Sequence, residues 1–424
     1  MKRLIVSRRY WAIATLLSVL LLVLFSFTSP LFPATNTQTE LFTEIWDTVN
    51  QNFYDPNLNG VNWKAMRTKY EPLATQTKSS QAFAEVVNQM LGELNTSHTH
   101  YYTSEDPAYY QILGIFVPRS QALQKAVKTF LPEGTIAYSG IGIVTKETQG
   151  RTFVSAIFDG SPAAQSDLQV GDQILSVDEQ PFHPMQSFAE KVGQPVKLRI
   201  QRTPSPDSQR DVSVTPKKLD ATTMFLDAQK ASTQVIQRNG KRLGYVHIWS
   251  YAGDQYQQQL EADLIDGRLS NADGLILDLR DGWGGAPLTA LNIYSNQRDL
   301  SVTSISRNGK RYTSYGQWNR PVVMLVNEGS RSAKEILAFG FQQYQIGPVV
   351  GSRTAGYVVA GRPFLMKDNS LLYVAVADVY VNGDHRLEGK GVVPDIVVPF
   401  SVEYAQGIDP QKEQAIATLL EQLK

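Results

Sequence analysis

The chain has 424 residues, 42% of them hydrophobic, and its 40 basic and 40 acidic side chains cancel, so charge marks no polyanionic partner such as nucleic acid. It contains no cysteine, which excludes thiol nucleophiles, thiolate metal sites and disulfides together. The length supports two or three domains with substantial cores.

Lys2, Arg3, Arg8 and Arg9 precede an uncharged apolar run over residues 10–27, and a proline-containing polar stretch (TSPLFPATNTQT) follows. A span needs roughly 17–25 apolar residues, and basic residues before the run keep the N-terminus cytoplasmic while the rest is translocated. Residues 1–36 are therefore expected to be a signal peptide or membrane anchor with its tether. The remainder is expected to be exported to a periplasmic or other extracytoplasmic compartment.

From residue 40 to about 95 the pattern is helical: Phe42, Ile45, Trp46, Val49 and Phe53 recur at spacings of three and four, and two further runs follow. The resulting small bundle, residues 37–102, ends in the polar loop LGELNTSHTHYY. That loop carries Ser97, His98 and His100, read either as a solvated helix terminus or as the source of a general base titrating near neutrality. Residues 103–132 are a weakly patterned connector. Residues 133–219 carry Ser139-Gly140-Ile141-Gly142-Ile143, then Ser161-Pro162-Ala163, then Val170-Gly171-Asp172-Gln173-Ile174-Leu175. This order closely resembles a PDZ domain. The resemblance implies that Gly140, Ile141, Gly142 and Ile143 form the loop whose N–H groups receive a peptide's C-terminal carboxylate.

Beyond a polar spacer, the strand-like GYVHIW (244–249) and GLILDL (274–279) flank a helical stretch, so crossover connections and a parallel sheet are expected. The second strand runs into Arg280-Asp281-Gly282-Trp283-Gly284-Gly285 ahead of another helical stretch. A glycine-rich turn there suits a phosphate cradle, an oxyanion hole or a plain tight connection. No GxxxxGK[ST] or GxGxxG spacing supports a nucleotide. Next come the buried strand Val322–Val326, a polar loop, and a helix beginning at Ser332. Locally, Ser330 or Ser332 caps this helix, with Glu335 completing a capping box, or Ser332 is a nucleophile at the positive end of the helix dipole.

The stretches LDLRDGWGG (277–285), NEGSRSAKEI (327–336) and EGKGVVPDI (388–396), behind a helical bundle and a PDZ domain, resemble the C-terminal processing (tail-specific) peptidases and the catalytic core of the tricorn protease. The resemblance covers nearly everything after residue 40. It implies a multidomain α/β protein whose residues 220–424 form a crotonase-like (ClpP/crotonase) peptidase core. It implies Ser332 as nucleophile, an oxyanion hole from Gly284 or Gly285 with Ala333, protein or peptide substrates with accessible C-termini, and no cofactor or metal.

The lysine of a Ser-Lys dyad is missing, because Thr354-Ala355-Gly356 is followed by Tyr357. Lys334 lies about 200° around the helix from Ser332, and Lys367 falls beyond the motif. The tricorn-like branch implies a tetrad instead, in which His98 is the base, Ser97 orients it and Glu388 assists, with His100 and Lys390 as rivals. The alternative is a catalytically inactive peptide- or lipid-binding protein on the same scaffold.

Overall fold

The core sheet dictates where every other element sits. In this computed structural model, residues 38–131, 134–294, 301–305, 311–315 and 317–424 are described, with the backbone alone at 301–305 and 311–315. The expected N-terminal anchor lies outside the described residues. No helix among those described is long and apolar enough to cross a membrane.

The sheet has six strands in the order Ile396–Val397, Val349–Gly351, Val322–Val326, Gly274–Asp278, Lys241–His247 and Gln234–Arg238. All neighbours are parallel except the last pair. The central strands are buried at every position, as a sheet covered on both faces requires. Alternation divides them: Val322, Met324 and Val326 face the large cluster holding Leu260 of helix α7 (Asp254–Ile265) and Leu337 and Phe341 of helix α8 (Ala333–Gln343). Val323 and Leu325 face Ala415, Ile416 and Leu419 of helix α9 (Pro410–Gln422).

The N-terminal helices α1 (Gln38–Asn52), α2 (Trp63–Ala74) and α3 (Ser80–Gly92) start at readable caps: Asn62 Oδ1 accepts from Ala65 N–H, and Ser79 Oγ from Ala82 N–H. Trp46 and Trp63 stack at 6.1 Å, each indole N–H donating to the other's carbonyl. This bundle has no private core. Its Phe42, Ile45, Phe83 and Leu91 share one cluster with Val359, Leu372, Val374 and Ala375. The last three belong to a small antiparallel sheet of Ala360–Leu365, Leu371–Ala377 and His100–Tyr102, and Val359 immediately precedes its first strand. The loop after α3 is thereby held against the core.

The connector is more ordered than its pattern suggests. Asp106 caps α4 (Pro107–Phe116), proline occupies the first turn, and α5 (Gln121–Val127) follows. Tyr109, Ile112 and Leu113 sit in the main core, a helical spacing masked in sequence by flanking aromatics. Where a helix was expected after the glycine-rich turn, the chain forms a 3-10 stretch, Leu288–Tyr294.

The five-stranded sheet between Ile143 and Val214 has its own core of Val154, Leu198, Ile200 and Val212. Among its contacts with the six-stranded sheet's domain, Phe158 packs edge-on against Trp249 at 4.8 Å, and Tyr404 reaches back to Gly171 and Gln173.

Because bundle and core share one apolar cluster, Leu372→Ala is expected to cost about 2–5 kcal/mol in denaturant unfolding. Bundle and core are expected to unfold together. Separate transitions for helical and sheet signals would contradict the shared core.

Candidate active site

Strand Val322–Val326 ends at a turn tied down by Asn327 and Ser330. Asn327 Oδ1 accepts from Asp281 N–H and Gly329 N–H, and Ser330 Oγ donates to Leu279 O. The turn delivers Ser332 to the N-terminus of α8 with φ 59° and ψ −133°. This is strained backbone for a non-glycine residue, a cost of about 1–3 kcal/mol that persists only where surroundings impose it. The imposing group is Glu335. Its buried carboxylate accepts from Ser332 N–H (3.2 Å), Tyr357 N–H (2.8 Å), Gly356 N–H (2.7 Å) and the Thr354 hydroxyl (2.6 Å). Burial pushes this carboxyl above its usual range, opposed by those four donors. The bond from Ser332 N–H to the Glu335 carboxylate is the carboxylate half of the expected capping box.

Ser332 N–H also donates to Tyr357 O at 2.7 Å, which fixes segment 357–359 beside the serine. The next two amides, Val358 and Val359, donate to Glu388 Oε2 at 2.6 and 3.1 Å. The same oxygen accepts the Ser97 hydroxyl at 2.9 Å, and Oε1 accepts Ser97 N–H at 2.8 Å. Ser97 Oγ lies 2.9 Å from His98 Nδ1. Since the Ser97 proton goes to a carboxylate, its oxygen accepts from Nδ1–H, and Nε2 is left as the basic nitrogen. His98 itself has φ 56°, another left-handed residue. Burial pushes its imidazole down to about 4, with Glu388 opposing the shift and Arg331 adding to it.

Gly284 packs directly on the serine: a Cβ there would lie 2.5 Å from Ser332 Cβ and 3.0 Å from Ala333 N. The Gly284 backbone therefore lies against Ala333 N–H, and neither residue's N–H has a protein acceptor among the described residues. Gly285, with φ 97°, backs onto Ala252 instead.

The structure brings Ser332, Gly284, Ala333, Ser97, His98 and Glu388 into one region through these shared partners, and His98 opens into a cleft of about 230 Å³ with Arg331, Trp283, Tyr357 and Tyr373. His100 lines the same cleft, its ring tilted against Tyr102 at 4.5 Å; burial pushes its imidazole down to about 4 as well, and it has no ring hydrogen bond among the described residues. Lys367 and Lys390 are exposed. Lys334 is fully buried and turned away, its Nζ donating to Asp281 O (2.7 Å) and Trp249 O (3.3 Å) behind the glycine-rich turn; burial lowers its pKa to about 7. Gly140, Ile141, Gly142 and Ile143 line a second cavity, of about 290 Å³, which reaches Gly282, Trp283 and Arg331. Sequence reasoning missed Arg331, Trp283 and Tyr373. The first two sit inside motifs read for their serine and glycines, and only tertiary packing brings in the third.

Comparisons with known proteins agree with this layout. Residues 242–398 match peptidase family S41, residues 35–92 the tricorn protease C1 domain, and residues 153–202 the PDZ domain. A carboxyl-terminal-processing protease of Synechocystis sp. is 26% identical over 97% of this chain and 93% of its own length. Tricorn protease homolog 1 of Streptomyces coelicolor is 27% identical over 91% of this chain, which spans only 35% of that larger protein. Among solved structures, the tricorn protease superposes with a TM-score of 0.53 at 19% identity, covering 92% of this chain and 37% of its own. Mature CPAF complexed with lactacystin superposes with a TM-score of 0.52 at 14% identity, covering 91% and 98%. At such identities these structural likenesses speak to the fold.

If the Ser332 backbone is strained, glycine relieves it and alanine does not. Ser332→Gly is expected to unfold at a higher temperature than Ser332→Ala, by roughly 1 kcal/mol in stability. Equal or reversed stabilities would show that the conformation stores no strain.

Proposed function

This protein is a serine-type peptidase whose S41, tricorn C1 and PDZ domains fit the C-terminal-processing family, and from that premise we propose that it is an endopeptidase acting through an acyl-enzyme at Ser332 with His98 as general base. Its substrates are unfolded proteins or C-terminal tails, recruited through the loop Gly140 to Ile143. The observation that carries this reading is the hydrogen-bond path from His98 Nδ1 through Ser97 Oγ to Glu388 Oε2.

In the proposed reaction, Nε2 of His98 takes the proton of Ser332 as Oγ attacks the scissile carbonyl carbon. The imidazolium formed donates Nδ1–H to Ser97 Oγ, whose own proton faces Glu388, so a carboxylate stabilises the cation through one hydroxyl. Gly284 N–H and Ala333 N–H receive the oxyanion. His98 then protonates the leaving amine, and water, deprotonated by the same nitrogen, releases the acyl group. Tyr357, standing where a dyad lysine would be, contributes its carbonyl to holding Ser332 and no proton transfer. The basic-then-apolar N-terminus supports export, with residues 1–36 acting as a membrane anchor or a cleaved signal.

Purified enzyme with an unfolded protein substrate is expected to lose about ten-thousandfold or more in kcat on Ser332→Ala or His98→Ala, and to keep substantial activity with Tyr357→Phe. Equal turnover by the wild type, Ser332→Ala and His98→Ala would remove the assignment. A collapse of Tyr357→Phe to the level of Ser332→Ala would remove the mechanism. The pH profile provides another check. Only neutral His98 accepts a proton, and with its folded pKa at about 4 rather than 6.5 the base stays competent well below neutrality. The acid limb of kcat/KM is expected near pH 4; a midpoint near 6.5 would mean that a solvated histidine is the base.

A further inference from the structure

Arg331 immediately precedes the serine, and its guanidinium makes no hydrogen bond or salt bridge to any described residue; Nε is buried without a partner. Its recorded contact is with the Trp283 ring, 5.0 Å from guanidinium carbon to centroid. A guanidinium has five N–H donors, and leaving a buried one unmade costs free energy that a purely structural arginine avoids by pairing. Buried and half-buried arginines elsewhere in the chain do pair: Arg280 with Asp278 and Asp409, Arg386 with Asp378, Arg202 with Asp172.

Arg331, Trp283 and Tyr102 line both cavities, the one containing the Gly140 to Ile143 loop and the one containing His98. Arg331 therefore stands on the route a peptide takes from the PDZ loop to the catalytic histidine. Of the two linings, only Asp106 is acidic, and its side chain is occupied in capping α4 at Ala108 N–H, 2.8 Å away.

We propose that Arg331 is a carboxylate-binding subsite, taking either an acidic side chain or the C-terminal carboxylate of the substrate between the PDZ loop and Ser332. Its planar fork suits bidentate capture of a carboxylate, and Trp283 holds the plane in place from one face. Capture has a second effect at the neighbouring base. After burial, the Arg331 charge is a force that disfavours imidazolium at His98, countering Glu388. A bound carboxylate neutralises that charge, so the substrate that fits also favours the protonated His98 that catalysis generates.

This inference rests on the proposed peptidase reading, and its test separates the two. Quenched-fluorescent peptides of one sequence are prepared with a single Asp moved along the chain, with a free or amidated C-terminus, and with all-neutral side chains. They are assayed with the full chain as wild type, Arg331→Lys, Arg331→Gln and Arg331→Glu, each checked by thermal unfolding. For the wild type, one Asp position, or the free C-terminus, is expected to raise kcat/KM roughly ten- to a hundredfold over the neutral or amidated peptide. Arg331→Lys keeps part of that ratio, Arg331→Gln removes it, and Arg331→Glu favours a peptide with Lys at the same position. Loss of the ratio on amidation identifies the α-carboxylate; its persistence identifies the side chain. An acid-to-neutral ratio unchanged across the four proteins overturns the proposal, however much overall turnover falls. If the wild type cleaves nothing, the peptidase reading fails, and the same peptides, fluorescein-labelled and titrated onto Ser332→Ala and Ser332→Ala/Arg331→Gln, still decide the subsite: equal affinity refutes it.

Discussion

The carboxylate of Glu388 is the point on which the site depends. It gathers Ser97, Val358 and Val359, from segments far apart in sequence, Ser97 being 291 residues away. A buried carboxylate needs donors on both oxygens, so removing any of these segments would leave an unmet charge in the interior. The same requirement fixes the bundle loop onto the core and sets which nitrogen of His98 carries the proton. Apolar packing brings the bundle to the small sheet, and this polar junction then fixes the register.

A second buried carboxylate, Glu335, works in parallel on the other side of segment 354–359. It forces Ser332 into a left-handed conformation while holding Gly356 and Tyr357 against it. Segment 354–359 is thus pinned by one glutamate toward the serine and by another toward the histidine. The two halves of the proposed machinery are positioned by one short stretch of backbone. The glycine at 284 completes the arrangement from a third direction, since any side chain there would collide with the serine itself.

Much of this was legible before any coordinates. Uninterrupted apolar runs announced the buried parallel strands, because two covered faces leave no polar positions, and the three PDZ markers in order specified that domain. The serine, the glycine-rich turn and the absent dyad lysine were readable as motifs. Lys334 could be set aside by helical geometry alone, and it does point away, beneath the turn. What resisted reading was tertiary. The connector's helices are concealed because Tyr109 and Tyr110 are adjacent, so only one of them can face the core and the period blurs. The bundle's periodicity gave no sign that Val359, Met366, Leu372, Val374 and Ala375 complete its core. Arg331 was overlooked because in a sequence an arginine beside a serine is an ordinary solvated cation; that it has no acid partner among the described residues is a property of the fold.

The central claim is that Glu388, through Ser97, holds His98 neutral with its proton on Nδ1 and a lone pair on Nε2. Nitrogen chemical shifts of the His98 ring in ¹⁵N-histidine-labelled enzyme at neutral pH test it directly, with the signal assigned by comparison with His98→Ala. The account predicts a pyrrole-type Nδ1 and a pyridine-type Nε2. The reverse tautomer, or an imidazolium at neutral pH, would contradict it, because neither could accept the proton of Ser332 at Nε2.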